Sequence, residues 1–196
     1  SNSGNNYGIY GIDTGTDNQT GAEASNIYAD GLWKVPNTES NDWKFDWIYH
    51  TNFFLSNVLV KYGEDLNGSQ NTIEGNISEI KHYIGEVYFL RACEYFKRYW
   101  KFGDFPIVTE PLPDDKDVLI EANKRMPRNE VARFILSDLD KAATLMSGQQ
   151  MSTNRINKDA ALLLKSRVAL FEGTWLKYFK GTAFVPNGEG WPGKNK

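Results

Sequence analysis

Residues 85–112 read GEVYFLRACEYFKRYWKFGDFPIVTEPL, and this stretch decides the fold. Val87, Tyr88, Phe89, Leu90, Tyr95, Phe96, Tyr99, Trp100 and Phe102 coat its first part on nearly every face. A helix so widely apolar must be buried on several sides at once. Gly103 and Asp104 stop it, and Pro106, Pro111 and Pro113 then remove backbone donors and impose extended geometry. That continuation is a strap rather than a central strand. With a lead-in from Ile77 the helix spans 77–102, roughly 39 Å at 1.5 Å per residue. Gly85, Phe89, Ala92 and Phe96 fall on one stripe, whose small members admit a close neighbour. Glycine in an exposed helix interior costs about 1 kcal/mol against alanine, so close packing is the reason for Gly85. Glu94, with Arg91 at i−3 and Arg98 at i+4, reads as an ion-pair ladder.

Three further helical patterns surround this one. Over 43–62, Phe45, Ile48, Tyr49, Asn52, Leu55, Leu59 and Tyr62 recur at three and four, with Asn41 or Asp42 placed to cap the start and Gly63 to end it. Over 129–146, Val131, Phe134, Ile135, Leu139, Ala142 and Leu145 form a clean stripe introduced by Pro127 and Asn129. The last begins near Asn157 and carries Ala161, Leu164, Val168 and Phe171 on one face, running on to Phe179 with Gly173 as a kink point. Four helices joined by loops, without alternating strand patterns, predict an all-α scaffold. Their spacing is not the 34-residue period of a regular tetratricopeptide array. Residues 1–41 are polar and aperiodic, 42–180 hold the helices, and 181–196 form a Gly- and Pro-rich loop that reads as a chain cut in mid-protein.

The bulk numbers exclude several function classes. A net charge of -3 leaves no basic excess to neutralise phosphates, which argues against nucleic-acid binding. No apolar run of about 18 residues is present to span a membrane. The N-terminal residues show neither the basic nor the apolar region of a signal peptide, as expected of a cytoplasmic protein or a processed chain. Cys93 is the single cysteine, so no intrachain disulfide forms, and its place in the apolar helix predicts a buried, inert thiol.

Motifs that could carry chemistry each fail a physical test. Gly188 to Lys194 spells most of a phosphate-binding loop, but Asn195 stands where magnesium needs Ser or Thr and Pro192 removes a needed N–H. The run from Asp13 to Asp17 opens like a calcium loop, yet position six is Asn18 and position twelve is Ala24. An irregular cation or sugar-hydroxyl site at Asp13 or Asp17 stays open, beside an ordinary Asx turn. His50 and His82 have no second ligand at metal spacing. No acid/base carboxylate pair and no G-x-S-x-G is recognisable, so no catalytic residue, cofactor or metal is assigned.

The aromatics are more informative, with 6 Trp, 10 Tyr and 11 Phe. Tyr28, Trp33, Trp43 and Trp191 lie outside the helical stripes, and the three Trp are flanked by Asn, Asp, Lys or Gly. Flat aromatic faces beside hydrogen-bonding groups suit a sugar ring. With Asp17 they form the candidate ligand-binding set, although a packing role competes for each aromatic.

The opening stretch resembles the signature of the SusD/RagB family of Bacteroidetes outer-membrane nutrient-binding lipoproteins. The matching residues are Gly85, Glu86, Phe89, Leu90, Arg91, Ala92, Tyr95 and Phe96, then Gly103, Asp104, Pro106, Ile107 and Val108. WIYHTNFFLSN at 47–57 and RINKDAALLLKSRVALFEGTW at 155–175 are similar to two further family helices, with Asn157 and Ser166 as departures. The resemblance covers roughly 45–180. It implies a tetratricopeptide-like helical scaffold with long loops, lipid-anchored at the cell surface, with no catalytic centre. It further implies capture of oligosaccharide or polysaccharide for import through a SusC-like TonB-dependent transporter. Family members are commonly more than twice this length, so the chain looks like an N-terminal to central fragment. The motif residues build the scaffold, and ligand contacts are expected from loops. The competing reading is a helical-repeat scaffold that binds protein or peptide and no glycan, for which an apolar groove between helices would speak.

Overall fold

The computed structural model describes Asp30, residues 43–146 and residues 154–192. The chain divides after Asn41 into two compact units, and every described residue except Asp30 belongs to the second. Among the described residues there are five helices and no strand: α1 (Asp46–Tyr62), α2 (Ile77–Phe102), α3 (Lys116–Ala122), α4 (Arg128–Leu145) and α5 (Lys158–Phe179). The fold is all-α. Helix α2 packs on both α1 and α4, and α4 packs on α5, so four helices follow one another in a layer with α2 inside it.

The periodic stripes become the core. Ile48 and Leu55 of α1, Tyr88, Ala92, Tyr95 and Tyr99 of α2, Val131, Ile135 and Leu139 of α4, and Ala161 and Val168 of α5 are all buried. Gly85 sits where α2 and α4 touch. A Cβ added there would lie 2.7 Å from Met146 Cγ, 3.1 Å from Leu145 Cβ and 3.2 Å from the Ala142 carbonyl oxygen. The glycine is therefore a packing device, as its stripe predicted.

Helix boundaries follow local chemistry. Asn76 and Asn157 cap α2 and α5, accepting the N–H of Ser78 and of Ala160. Helix α1 departs from expectation, because its N-cap position is Phe45, with no side-chain cap. The Phe45 ring stacks on Phe105 at 5.1 Å, so aromatic packing in place of an Asn41 or Asp42 cap holds the entry. Gly173 lies within continuous α5. Helix α3 carries no apolar period and escaped the sequence reading. Asp115 nucleates it, accepting the N–H of Asp117 and Val118 at 3.0 Å each.

The Gly-Asp exit from α2 has a clear cause. Gly103 takes φ 68°, which L side chains rarely adopt, and turns the chain away from the helix axis. Asp104 then accepts the Arg128 N–H at 2.9 Å and so caps α4. Phe105 exchanges backbone hydrogen bonds with Met126 at 3.2 and 3.1 Å, an isolated bridge that closes the neck of the 106–125 excursion.

Two buried polar networks tie the layers together. Arg91 does not join the Glu94 ladder; it is buried and donates to Asp138 through Nε at 2.7 Å and Nη2 at 2.8 Å. Its Nη1 donates to Asn52 Oδ1 at 3.0 Å, and Asn52 Nδ2 donates to the Val108 carbonyl at 2.8 Å. The Tyr95 hydroxyl donates to that same carbonyl at 2.9 Å and accepts the Val108 N–H at 2.8 Å. Helix α2 had presented Arg91 as a surface neighbour of Glu94, but its face turns to α4, where Asp138 is fully buried. The ladder that does form joins Glu94 to Lys97 and Arg98. In the second network Arg128 donates to Glu172 at 3.0 and 2.9 Å and to the Tyr99 hydroxyl at 2.7 Å, with its guanidinium 4.1 Å from the Trp175 ring.

Candidate functional site

Helix α1 exposes a face that its apolar stripe does not use. Trp47 stands one residue before buried Ile48, about 100° round the helix, and is 63% exposed. Trp47, His50, Thr51 and Phe54 sit at i, i+3, i+4 and i+7 and form one wall of a cleft. Val87, Leu90, Glu94 and Lys97 of α2 form the other, and the cleft encloses about 470 Å³.

The cleft joins a flat aromatic surface to polar groups. The Trp47 ring meets His50 edge-on at 5.7 Å. Lys97 donates to Glu94 at 2.6 Å, and Glu94 is also paired with Arg98. Arg98 reaches across to the Lys44 carbonyl at 3.2 and 3.0 Å, fixing the start of α1 against α2. Thr51 spends its hydroxyl proton on the carbonyls of Trp47 and Ile48. Glu94 thus offers acceptor oxygens, Lys97 donors and His50 either, around an apolar ring. This is chemistry for holding a polyhydroxylated ligand by its face and edge.

The half-buried Cys93 thiol on α2 is pushed up to about 11 by burial, so it keeps its proton at neutral pH. Among the described residues no group of three His, Cys, Asp or Glu side chains could hold a metal ion. No described helix is long and apolar enough to cross a membrane.

Of the residues singled out from sequence, the two that are described, Trp43 and Trp191, do not line this cleft. Asp17, Tyr28 and Trp33 lie outside the described residues. Trp43 is half-buried in an aromatic cluster, 4.9 Å from Phe102 and 4.7 Å from Phe105, with the Arg125 guanidinium 4.6 Å from its ring. Trp191 is half-buried in the C-terminal turns and donates its N–H to the Gly188 carbonyl at 3.1 Å. In the same segment the N–H groups of Gly188 and Glu189 bond to the Val185 and Gly181 carbonyls, so they are spent on turns and not aimed at an anion. In the sequence Trp47 is masked as a ligand candidate by its place inside a helix that resembles a scaffold motif. Its signal was its place off the apolar stripe.

Comparison with known proteins bears on most of the chain. The SusD-like family model described as starch-binding and associating with the outer membrane matches residues 15–170. A SusD-like protein of Formosa agariphila is 28% identical over 117 residues, covering 60% of this chain and 23% of that protein. A candidate sugar-binding protein of Bacteroides vulgatus superposes with a TM-score of 0.52 at 25% identity, over 73% of this chain and 32% of that one. A SusD-like protein of Bacteroides fragilis aligns with a TM-score of 0.45 at 28% identity, over 66% of this chain and 28% of its own. The chain therefore spans less than a third of the length of these relatives. With the matched span covering most of the sequence and the helical layer in place, the chain belongs to the SusD-like family.

Proposed function

We propose that this chain is part of a cell-surface protein that captures oligosaccharide or polysaccharide and delivers it to a SusC-like TonB-dependent transporter. In this reading a lipid anchor carried by the whole protein holds it at the outer membrane, and it binds its ligand without chemical conversion. Family membership supports carbohydrate binding, since the matching family is described as starch-binding and associating with the outer membrane.

The observation that carries the site is the exposed Trp47 ring facing Glu94 and Lys97 across the α1–α2 cleft. A pyranose would lay its C–H face on the indole and place edge hydroxyls toward the carboxylate, the ammonium and His50. Asp17, Tyr28 and Trp33 are proposed as further contacts, with Trp43 and Trp191 contributing their accessible edges. Affinity electrophoresis of the intact protein in gels containing starch or laminarin tests the reading. Wild type is expected to be retarded by one such glycan, and Trp47→Ala to weaken that retention about tenfold or more, as for a buried aromatic anchor. Unchanged retardation of Trp47→Ala would remove the cleft from the site, and the same measurement on Trp33→Ala tests the N-terminal contact separately.

A further inference from the structure

On its opposite side α1 borders a larger groove, about 690 Å³, of the size that clefts for ligands and peptide anchors have. Ile48 and Tyr49 of α1 line one wall, Leu112 of the strap the floor, and Leu119 and Ile120 of α3 the other wall. Helix α3 buries none of its residues, and its consecutive Val118, Leu119 and Ile120 are all exposed, Ile120 to 58%. Three apolar side chains on a seven-residue helix contribute nothing to this core. The 106–125 excursion leaves and returns at the Phe105–Met126 bridge, so α3 stands as a preset wall across from α1.

The charge around the groove is mainly acidic. Glu110, Asp114, Asp115, Asp117 and Glu121 are exposed within twelve residues that contain a single lysine, Lys116. Asp46, at the start of α1, is exposed as well. Lys124 and Arg125 follow this run; Lys124 pairs with Glu121 at 2.5 Å and the Arg125 guanidinium lies over the Trp43 ring. Inside the groove the Asn52 side chain is already spent on Arg91 and the Val108 carbonyl. The polar lining residues Glu110, Asp114, Lys116 and Asn123 lie on the strap and α3 side, while Ile48, Leu112, Leu119 and Ile120 give the groove walls that suit aliphatic side chains.

We propose that the groove between α1, the strap and α3 is a docking site for a protein partner. The partner segment is amphipathic, with aliphatic anchors entering between Tyr49 and Ile120 and Lys or Arg residues meeting the acidic rim. This goes beyond the glycan reading and uses the other face of α1. Helix-in-groove recognition of this kind takes its affinity from the apolar anchors and its orientation and association rate from the rim charges.

The test is fluorescence anisotropy on the intact protein with a labelled amphipathic helical peptide of leucine and lysine, beside a counterpart in which glutamate replaces lysine. The leucine–lysine peptide is expected to bind, with affinity falling as salt rises. Ile120→Asp, at an exposed position where far-UV circular dichroism should be unchanged, is expected to weaken it about tenfold or more. Trp47→Ala, in the other cleft, is expected to leave it unchanged. The proposal is overturned if the leucine–lysine peptide fails to bind, if Ile120→Asp binds it as tightly as the parent, or if the glutamate peptide binds equally well. Displacement of the peptide by a bound oligosaccharide would give the groove to the glycan. Self-association in sedimentation that Ile120→Asp abolishes would give it to a second copy of the chain. Either result also overturns the proposal.

Discussion

At the scale of single residues the sharpest constraint is Gly85. A methyl group there would press on the Leu145 Cβ and the Ala142 carbonyl, neither of which swings away as the end of the Met146 side chain does. Alanine gains about 1 kcal/mol in helix propensity, against an overpacking cost of about 1–3 kcal/mol. Gly85→Ala is therefore expected to destabilise by up to about 2 kcal/mol, read as a lower urea midpoint with an unchanged m-value. A stabilised protein would show that α2 and α4 separate easily at this point. Trp47 makes the complementary case, since the same helical geometry that buries Ile48 leaves its neighbour exposed.

At the scale of elements the strap is held at Val108 by Tyr95 together with Asn52. The Tyr95 hydroxyl satisfies both the N–H and the carbonyl of Val108, holding extended backbone on a helix without a sheet. Burial pushes Tyr95 up to about 12, with the Val108 N–H acting in the opposite sense. Burial raises Tyr99 and Tyr88 too, and for Tyr99 the Glu172 carboxylate adds to it. An unfolded tyrosine loses its proton near 10. Between that pH and the folded value the unfolded chain holds fewer protons, so stability present below about pH 10 is lost as pH rises toward 12. Denaturant melts across pH 8 to 12 are expected to show that loss, starting near pH 10. Tyr95→Phe should show less of it, while costing about 1–3 kcal/mol at neutral pH because the Val108 N–H loses its acceptor. An alkaline slope equal to that of wild type would remove Tyr95 from the account.

At the scale of the whole molecule the Asp138–Arg91–Asn52–Val108 chain spans α4, α2, α1 and the strap. Removing one member of a buried ion pair leaves an uncompensated charge and costs about 3–5 kcal/mol, whereas replacing both by apolar groups is often nearly neutral. Arg91→Met and Asp138→Leu are each expected to lower stability by that amount. The double variant should recover much of the loss, short of wild type because Asn52 Oδ1 is left without its donor. Additive losses in a double-mutant cycle would show that the two side chains act independently. The network fixes three helices and the strap relative to one another. The strap in turn borders the α1–α3 groove, and α2 borders the α1–α2 cleft.

The amino-acid pattern alone determined that the chain is helical and where its four long helices lie. Helix periodicity and end chemistry are local, and Asn76, Gly103, Pro127 and Asn157 mark boundaries within a residue of those observed. It also carried the family, through residues whose purpose is now physical: Gly85 for close packing, Arg91 and Tyr95 for the buried network, Asp104 for capping α4. Tertiary structure decided which partner each polar residue takes. Arg91 had Glu94 within reach along the helix, but a residue 47 positions away in sequence holds it. The same holds for the surface, because whether an aromatic is anchored or free depends on what packs over it. Trp43, flanked by polar residues, is tucked among Phe102, Phe105 and Arg125, while Trp47, inside a helix, stands open over the cleft.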